Sequence, residues 1–293
     1  MSENIRPAIK GQEGWYPLDK DDCLFQIRDF LERDNNFLTK TTASVGGIVP
    51  HAGWFYSGDL ALKTIELLAK NASEPQLILL FGVDHRGIAG QPCLCNYDAW
   101  ETPFGPLKVD KQLGSKLVEE FPDLFIVENA AHQYEHSIEI QLPFLAYFFK
   151  DVKILPIAVP CNFKQAERCG ESLATLFEDR KVLVFGSTDL THYGLPFAFA
   201  PKGLSAEAGR WVKEELDPRI LTIMENLEVE KVIPEVSKNQ NACGAGPIVA
   251  ALSYFKKKNL TRGELVGHTS SLDRGSSVKK DFSHFVSYGA LVF

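Results

Sequence analysis

Five short segments place histidine, acidic or cysteine side chains beside a predicted strand end or helix start. They are residues 50–54 (PHAGW), 83–87 (VDHRG), 135–139 (EHSIE), 187–193 (STDLTHY) and 241–244 (NACG). Two neutral imidazoles and an anionic third ligand are typical of iron, copper or zinc centres, and a catalytic centre also keeps one position open. His51, His85 and Cys243 supply such a set from three separate loops, and we predict that they are metal ligands.

A second pair of residues is suited to handling protons. Asp189 and His192 lie in the fourth of these segments, where they would move protons or orient a bound substrate or oxygen species. Cys243 precedes a predicted helix, whose positive end would lower the pKa of the thiol and favour either metal ligation or nucleophilic reactivity. The alternative is a buried, hydrogen-bonded polar cluster with an unreactive cysteine.

Strands and helices alternate along the chain and must position these segments. Apolar runs predict strands over residues 46–50, 76–81, 152–159, 181–185, 264–269 and 284–293. Amphipathic periodicity predicts helices over residues 22–34, 57–70, 165–177, 205–227 and 244–258, and one more after residue 110. Ser57 and Asp110 are predicted helix caps. This alternation predicts an α/β protein with a mixed, mostly parallel sheet and helices on both faces, and without a linker we expect residues 1–293 to form a single domain.

Two of the predicted strands end in a similar way. Residues 77–85 (LILLFGVDH) and 182–192 (VLVFGSTDLTH) each contain an apolar strand that ends in Phe-Gly and is followed by an acid and a histidine. In open α/β sheets, ligands bind beyond the carboxyl ends of the strands, where such loops converge. We therefore expect two or three histidines to meet at one edge of the sheet.

The composition excludes several classes of protein. The chain has 293 residues, with 31 Lys and Arg against 38 Asp and Glu, which gives a formal net charge of −7. Its longest basic run is three lysines at residues 256–258, so nucleic acid is not an expected partner. No apolar segment approaches the roughly 20 residues of a membrane span, and the first residues do not resemble a signal peptide. We expect a cytoplasmic protein with no membrane partner.

The cysteines and the search for common enzyme motifs suggest no further function. The six cysteines show neither the density of a disulfide scaffold nor a C-x-x-C pair, and dinucleotide, Walker and serine-hydrolase motifs are missing. Cys93 and Cys95 are expected to pack in the interior. His132 is expected to be a loop residue rather than a ligand.

The ordered motifs resemble those of one known family. In order they are P-H-A-G-W, G-x-D-H, W-E-T-P-F-G, E-H-S-I-E-x-Q-L-P-F, S-x-D-x-x-H-Y and N-x-C-G, and over residues 46–293 they closely resemble the Memo family, whose prokaryotic members are known as AmmeMemoRadiSam system protein B. That family is similar in fold to LigB-type extradiol dioxygenases, which hold Fe(II) between two histidines and a glutamate. The resemblance implies a LigB-dioxygenase-like fold, the metal ligands His51, His85 and Cys243, and a pocket lined by Asp189 and His192.

The resemblance also implies cofactors and partners. Fe(II) is the expected ion, and because a cysteine stands where the dioxygenases have a carboxylate, the softer site would also suit Cu or Zn. By analogy, His192 would act as base and acid toward the substrate. The family name further implies a functional link to a radical-SAM protein and to an AmmeMemoRadiSam protein A-type partner.

Three further residues have two interpretations each. Glu135 and His136 either cap a helix and support the metal ligands or take part directly in the chemistry. Trp54 begins a short aromatic run that either walls a pocket for an aromatic substrate or belongs to the core.

Three functions remain open at this point. The first is an Fe(II) oxygenase-like oxidoreductase acting on an unknown small substrate. The second is a non-enzymatic adaptor that captures a phosphorylated or carboxylated peptide in the histidine-rich cleft, because the resembled family includes eukaryotic members regarded as signalling adaptors. The third is a thiol enzyme with Cys243 as nucleophile and His85 or His192 as base.

Overall fold

The computed structural model describes residues 3–33, 35–72, 74–88, 90–274 and 280–293. The strands are β1 (Ile5–Arg6), β2 (Gly46–Val49), β3 (Leu77–Val83), β4 (Cys93–Leu94), β5 (Ala99–Trp100), β6 (Leu107–Lys108), β7 (Ile126–Val127), β8 (Lys153–Val159), β9 (Val182–Ser187), β10 (His192–Gly194), β11 (Glu264–Ser270) and β12 (His284–Val292). The helices are α1 (Ile9–Gln12), α2 (Lys20–Glu32), α3 (Trp54–Asn71), α4 (Lys111–Glu120), α5 (Ala130–Gln133), α6 (His136–Glu139), α7 (Leu142–Phe148), α8 (Phe163–Leu176), α9 (Ala206–Trp211), α10 (Asp217–Glu225), α11 (Val229–Asn239) and α12 (Ala245–Lys257).

One large sheet carries most of these strands. Its order is β10-β12-β2-β9-β3-β8-β4-β7, and β11 pairs with β12. The central strands β2, β9, β3 and β8 are parallel. β12 runs antiparallel to β2, and β4 runs antiparallel to β8. The predicted mixed sheet is confirmed, and its parallel part is the centre.

The strand β3 shows why helices cover both faces of the sheet. All seven of its residues are buried, and successive side chains of a strand point to opposite faces. Leu77, Leu79 and Phe81 belong to a core cluster that includes residues of α8 and α12. Ile78 and Leu80 belong to a second cluster that includes residues of α3. An uninterrupted apolar run is the pattern of a strand covered on both sides, and the prediction of an α/β fold with helices on both faces is confirmed.

The caps of two predicted helices have different outcomes. Asp110 caps α4 as predicted, since its carboxylate accepts a hydrogen bond from the backbone N–H of Leu113. The prediction for Ser57 is wrong, because α3 begins at Trp54 with Gly53 as its N-cap residue. The backbone N–H of Ser57 already bonds to the carbonyl of Gly53, so Ser57 lies inside the first turn.

Other helix boundaries also differ from the predictions. The helix predicted over residues 205–227 is interrupted by a π-helix, Val212–Leu216, that joins α9 to α10. α2 ends at Glu32, and Asp34, the last residue of the predicted helix, lies outside the described residues. α11 was not predicted, and it contains Pro234, a residue that normally ends a helical pattern.

No helix in the described ranges is both long enough and apolar enough to cross a membrane.

Candidate metal centre

Three neighbouring parallel strands end at the same edge of the sheet, and a polar side chain follows each of them. His51 lies two residues after the end of β2, and His85 lies two residues after the end of β3. Asp189 lies two residues after the end of β9, the strand between them. Because parallel strands end together, these side chains converge, and the ring centroids of His51 and His85 are 5.2 Å apart.

Hydrogen bonding fixes which nitrogen of His51 is free. The hydroxyl of Ser187 donates to the carbonyl of Ser137 at 2.7 Å, so its oxygen accepts from Nδ1–H of His51 at 3.0 Å. The proton is thereby assigned to Nδ1, and Nε2 carries the lone pair. The side chain is 1% exposed, and burial lowers the pKa of His51 to about 3, so the ring is neutral at physiological pH. A neutral imidazole can bind a metal ion through the lone pair of Nε2.

The second histidine is held in the same way by a carboxylate. Nδ1 of His85 lies 3.0 Å from both carboxylate oxygens of Glu135, and the backbone N–H of His85 donates to the same group at 3.2 Å. Burial acts to raise the pKa of Glu135, but the hydrogen bonds from His85 and from the backbone N–H of Ser137 lower it to about 2. An ionised Glu135 therefore keeps the proton of His85 on Nδ1 and leaves Nε2 free for a metal ion.

The third predicted ligand lies on the loop before α12. Sγ of Cys243 is 3.2 Å from Nε2 of His51 and accepts a hydrogen bond from the backbone N–H of Asp189 at 3.3 Å. Burial and the charge of Asp189 raise the pKa of the Cys243 thiol. The predicted lowering by the helix start is therefore wrong for the metal-free protein, because loss of hydration outweighs the helix dipole. Metal coordination acts in the opposite direction, since a coordinating thiol is deprotonated.

These three side chains fit a metal ion. One ligand atom from each of His51, His85 and Cys243 lies within 4.8 Å of the others. Donors at about 2.0 to 2.3 Å from one ion lie no more than about 4.6 Å apart, and Sγ of Cys243 and Nε2 of His51, at 3.2 Å, satisfy this limit. Two imidazoles and one thiol also leave coordination positions open for a further molecule.

His136 stands beside this group. Its ring stacks on that of His85 with centroids 4.5 Å apart, and it meets the ring of His51 edge-on at 5.2 Å. Burial lowers the pKa of His136 to about 4. His85, Glu135 and His136 form a second group whose ligand atoms lie within 4.8 Å of one another. His136 is thus neutral and within reach of a molecule bound at the centre.

Glu135 has the first of the two roles that the sequence left open for it, that of a helix cap and a support for a predicted ligand. Its carboxylate accepts the backbone N–H of Ser137 at 2.8 Å and so caps α6. The same carboxylate holds His85, as described above. One side chain therefore fixes the start of the helix that carries His136 and the orientation of His85.

Asp189 and His192 lie on the other side of the centre. Oδ1 of Asp189 accepts the backbone N–H of His51 at 2.7 Å, and Oδ2 lies 3.9 Å from Nε2 of His192. Burial acts to raise the pKa of Asp189, but His51 and His192 together lower it. The carboxylate therefore stays ionised and faces the imidazole of His192 in the wall of a cavity.

That cavity has a volume of about 1070 Å³ and opens at the candidate centre. Three kinds of residue line it. The candidate-site residues are His51, His85, His136, Asp189 and His192. The aromatic residues are Trp15, Phe55, Tyr56, Phe285 and Tyr288, and the charged residues include Asp273, Arg274, Lys280 and Asp281. The cavity therefore offers an organic molecule apolar contacts as well as polar and charged ones.

Trp54 does not wall this cavity, in contrast to one of its two predicted roles. Its indole is 1% exposed and stacks on the ring of Phe144, with centroids 4.0 Å apart. Its Nε1–H donates to the carbonyl of Ile140 at 3.1 Å. Trp54 is therefore a core residue, and the next two residues of the run, Phe55 and Tyr56, are the ones that reach the cavity.

A buried ion pair that the sequence analysis missed supports the loop of Glu135. Arg6 is 1% exposed, and its guanidinium lies 2.7 Å from the carboxylate of Glu139. It also donates to the carbonyls of His132 and Glu135, at 2.8 and 2.9 Å. No pattern in the sequence pairs an N-terminal arginine with a carboxylate 133 residues away. Only the fold shows that Arg6 holds the segment that carries Glu135 and His136.

His132 differs from its predicted place in a loop. It lies in α5, is 0% exposed, and its Nε2 contacts the carbonyl of Cys93 at 2.9 Å. Burial lowers the pKa of His132 to about 4. His132 is therefore a buried structural residue.

Comparison with known proteins agrees with these observations. A family model described as Memo-like protein matches residues 6–292. A MEMO1 family protein of Methanosarcina barkeri is 33% identical over 299 residues, which cover 98% of each chain. A MEMO1 family protein of Pyrococcus furiosus is 30% identical over 254 residues, covering 84% of this chain and 85% of the relative.

A solved structure is similar in fold. The crystal structure of an uncharacterized protein from Escherichia coli K12 superposes with a TM-score of 0.52 at 11% identity and covers 83% of this chain and 98% of its own. At that identity the likeness concerns the fold alone. The family model and the curated relatives together show that this chain belongs to the Memo family.

Proposed function

We propose that this protein is a metal-dependent oxidoreductase that uses Fe(II) and acts on a small organic substrate. The observation that carries the proposal is the convergence of one ring nitrogen each of His51 and His85 with Sγ of Cys243, beside a cavity of about 1070 Å³ that both histidines line. When bound there, a redox-active ion supplies electron transfer and polarises an oxygen atom of its ligand.

The donor set also sets the order in which we would test metals. Imidazole nitrogens suit iron, copper and zinc, whereas a thiolate favours softer ions than a carboxylate would. Fe(II) is our first choice, and Cu and Zn are the alternatives. The LigB-dioxygenase-like likeness remains a prediction, and it does not by itself establish ring cleavage.

In this proposal Asp189 and His192 move protons at the substrate. Nε2 of His192 is 3.9 Å from the carboxylate of Asp189, and His192 lines the cavity. In that position the imidazole can accept a proton from a substrate hydroxyl and return it later. Glu135 orients His85, and His136 packs against His85 where it can contact the bound molecule.

The first experiment is elemental analysis of protein purified without oxygen. We would compare the wild type with His51→Ala and Cys243→Ala, using His284→Ala and Cys161→Ala as matched controls at exposed positions. We expect close to one iron per chain in the wild type and the controls, and none in the two site variants. Iron content at background in folded wild type would reject the proposal.

A second candidate is a binding module for a phosphorylated or carboxylated peptide. The size of the cavity favours it, because about 1070 Å³ lies just above the range of about 300 to 1,000 Å³ for small-molecule sites. Lys280 lines the cavity, where its ammonium group can contact an anionic group of the peptide. This candidate predicts peptide binding that persists after a chelator has removed the metal, whereas the oxidoreductase does not require it.

The third candidate, a thiol enzyme, has less support. A nucleophilic cysteine works as the thiolate, and burial raises the pKa of the Cys243 thiol in the metal-free protein. Alkylation tests it directly. A ligand cysteine resists an alkylating reagent until a chelator is added, whereas a free nucleophile reacts without one.

The proposal includes two expected partner proteins. A functional link to a radical-SAM protein and an AmmeMemoRadiSam protein A-type protein remains a prediction from the family name. Co-purification of tagged chains under anaerobic conditions would test whether either one binds this protein.

A further inference from the structure

A second, smaller cavity lies on the sulfur side of the candidate centre. Its volume is about 340 Å³, and Cys243 forms part of its wall. The described residues that line the larger cavity include His51 and His85 but not Cys243. The imidazole ligands and the thiol ligand therefore face different spaces.

His192 separates the two cavities, since it lines both. Its ring packs against that of Phe197 with centroids 4.9 Å apart. Its Nε2 is buried and has no hydrogen-bond partner within the described part of the chain, the carboxylate of Asp189 being 3.9 Å away. Packing rather than hydrogen bonding holds this nitrogen in place, and the imidazole ring is part of the wall of both cavities.

The walls of the smaller cavity suit a different kind of molecule from those of the larger one. Beside Cys243 and His192, its described lining is Leu190, Phe197, Val236, Ala242 and the neutral Gln240. The larger cavity has ionised groups such as Asp273 and Lys280 in its wall. An apolar space of this size favours a small uncharged molecule, whereas a charged or long organic molecule fits the larger cavity.

We infer that the smaller cavity is a separate entrance through which a small uncharged molecule, of the class of dioxygen, reaches the sulfur side of the centre. The organic substrate enters by the larger cavity. The choice of dioxygen rests on the proposed oxidoreductase function. The route to Cys243 is independent of that function, because it follows from the residues that line the smaller and the larger cavity.

The route is tested on the metal-free full-length protein by the rate at which methyl methanethiosulfonate, a small neutral reagent, modifies Cys243. The exposed thiol of Cys161 is first replaced by serine, and mass spectrometry of peptides follows Cys243. Val236→Phe narrows the smaller cavity, and Val286→Phe makes the same change in the wall of the larger one. Urea unfolding midpoints show that each variant is folded.

We expect Val236→Phe to slow modification by about tenfold and Val286→Phe to change it less than about twofold. Phe197→Ala widens the smaller cavity and is expected to speed modification. Slowing by Val286→Phe alone, equal slowing by both variants, or slowing by neither overturns the separate entrance.

A second measurement tests dioxygen itself. Protein reconstituted with Fe(II) is mixed with oxygenated buffer, and the rate of iron oxidation is recorded for the same variants. Slower oxidation in Val236→Phe and an unchanged rate in Val286→Phe support dioxygen as the molecule that uses this entrance. An unchanged rate in both variants overturns that assignment. Failure of the wild type to hold iron would instead reject the proposed function, while the modification rates would still decide the route.

Discussion

The hydroxyl of Ser187 donates its only proton to the carbonyl of Ser137, and its oxygen therefore accepts a hydrogen bond from Nδ1–H of His51. A serine next to the candidate centre thus decides which nitrogen of a buried histidine can bind a metal ion. In the same way, the carboxylate of Glu135 accepts a hydrogen bond from Nδ1–H of His85. Hydrogen bonds thus hold a proton of each histidine on Nδ1, and they do so before any metal arrives.

Ser187→Ala is expected to weaken metal binding by about 10- to 100-fold, because His51 loses the acceptor that keeps its proton on Nδ1. The measurement is an anaerobic Fe(II) titration in competition with a chelator. Ser253→Ala is the matched control, since the Ser253 hydroxyl is buried and has no hydrogen-bond partner among the described residues. Equal affinities in the two variants would show that Ser187 does not set the tautomer.

Glu135→Gln is expected to weaken metal binding by a similar factor of about 10 to 100, since a neutral amide holds the Nδ1 proton of His85 less strongly. Glutamine can still accept the N–H of Ser137, so α6 should remain capped. Glu128→Gln is the control, because Glu128 also accepts a backbone N–H, from Ala130 at 2.9 Å, outside the centre. The idea fails if both variants keep the wild-type affinity.

Arg6→Met is expected to lower the free energy of unfolding by about 3 to 5 kcal/mol, because it leaves the carboxylate of Glu139 buried without its cation. Arg33→Met removes a partly exposed partner of Asp29 and should cost less than about 1 kcal/mol. Urea unfolding of both variants gives the comparison. A loss in Arg6→Met no larger than in Arg33→Met would contradict a structural role for the buried pair.

His132 is expected to make the protein less stable as the pH falls below neutrality. Its pKa is about 4 in the folded protein and about 6.5 when unfolded, so the unfolded chain takes up the proton first. Stability that is present above about pH 6.5 is therefore lost as the pH falls toward 4, by about 2 kcal/mol between pH 7 and pH 5. The structural reason is Nδ1, which is buried with no hydrogen-bond partner in the described ranges.

The measurement for His132 is the free energy of unfolding at pH 7 and pH 5 in the wild type and in His132→Gln. Glutamine can keep the contact with the carbonyl of Cys93 but does not titrate. The difference between the two pH values should shrink in the variant by about the amount given above. An unchanged difference would assign the pH dependence to the other buried histidines, His51 and His136.

The sequence predicted most of the strands and helices, because apolar runs and amphipathic periodicity are local patterns in the chain. The continuous apolar run of β3 predicted a strand covered on both faces, and the periodicity of residues 244–258 predicted α12. Since parallel strands end at one edge, the positions of His51 and His85 directly after two such strands were enough to expect that they would meet. Helix boundaries were less well predicted, because Gly53 and the π-helix Val212–Leu216 depend on packing that no local pattern contains.

By itself, then, the sequence determined the fold class, the family and the segments that carry histidine, acid and cysteine. Only the tertiary structure decided their chemistry. Burial reversed the expected direction of the Cys243 pKa, and a stacked partner placed Trp54 in the core. Hydration, dielectric surroundings and hydrogen-bond partners are properties of neighbours that are distant in the chain, and they become fixed only when the sheet brings residues such as Ser187 and His51 together.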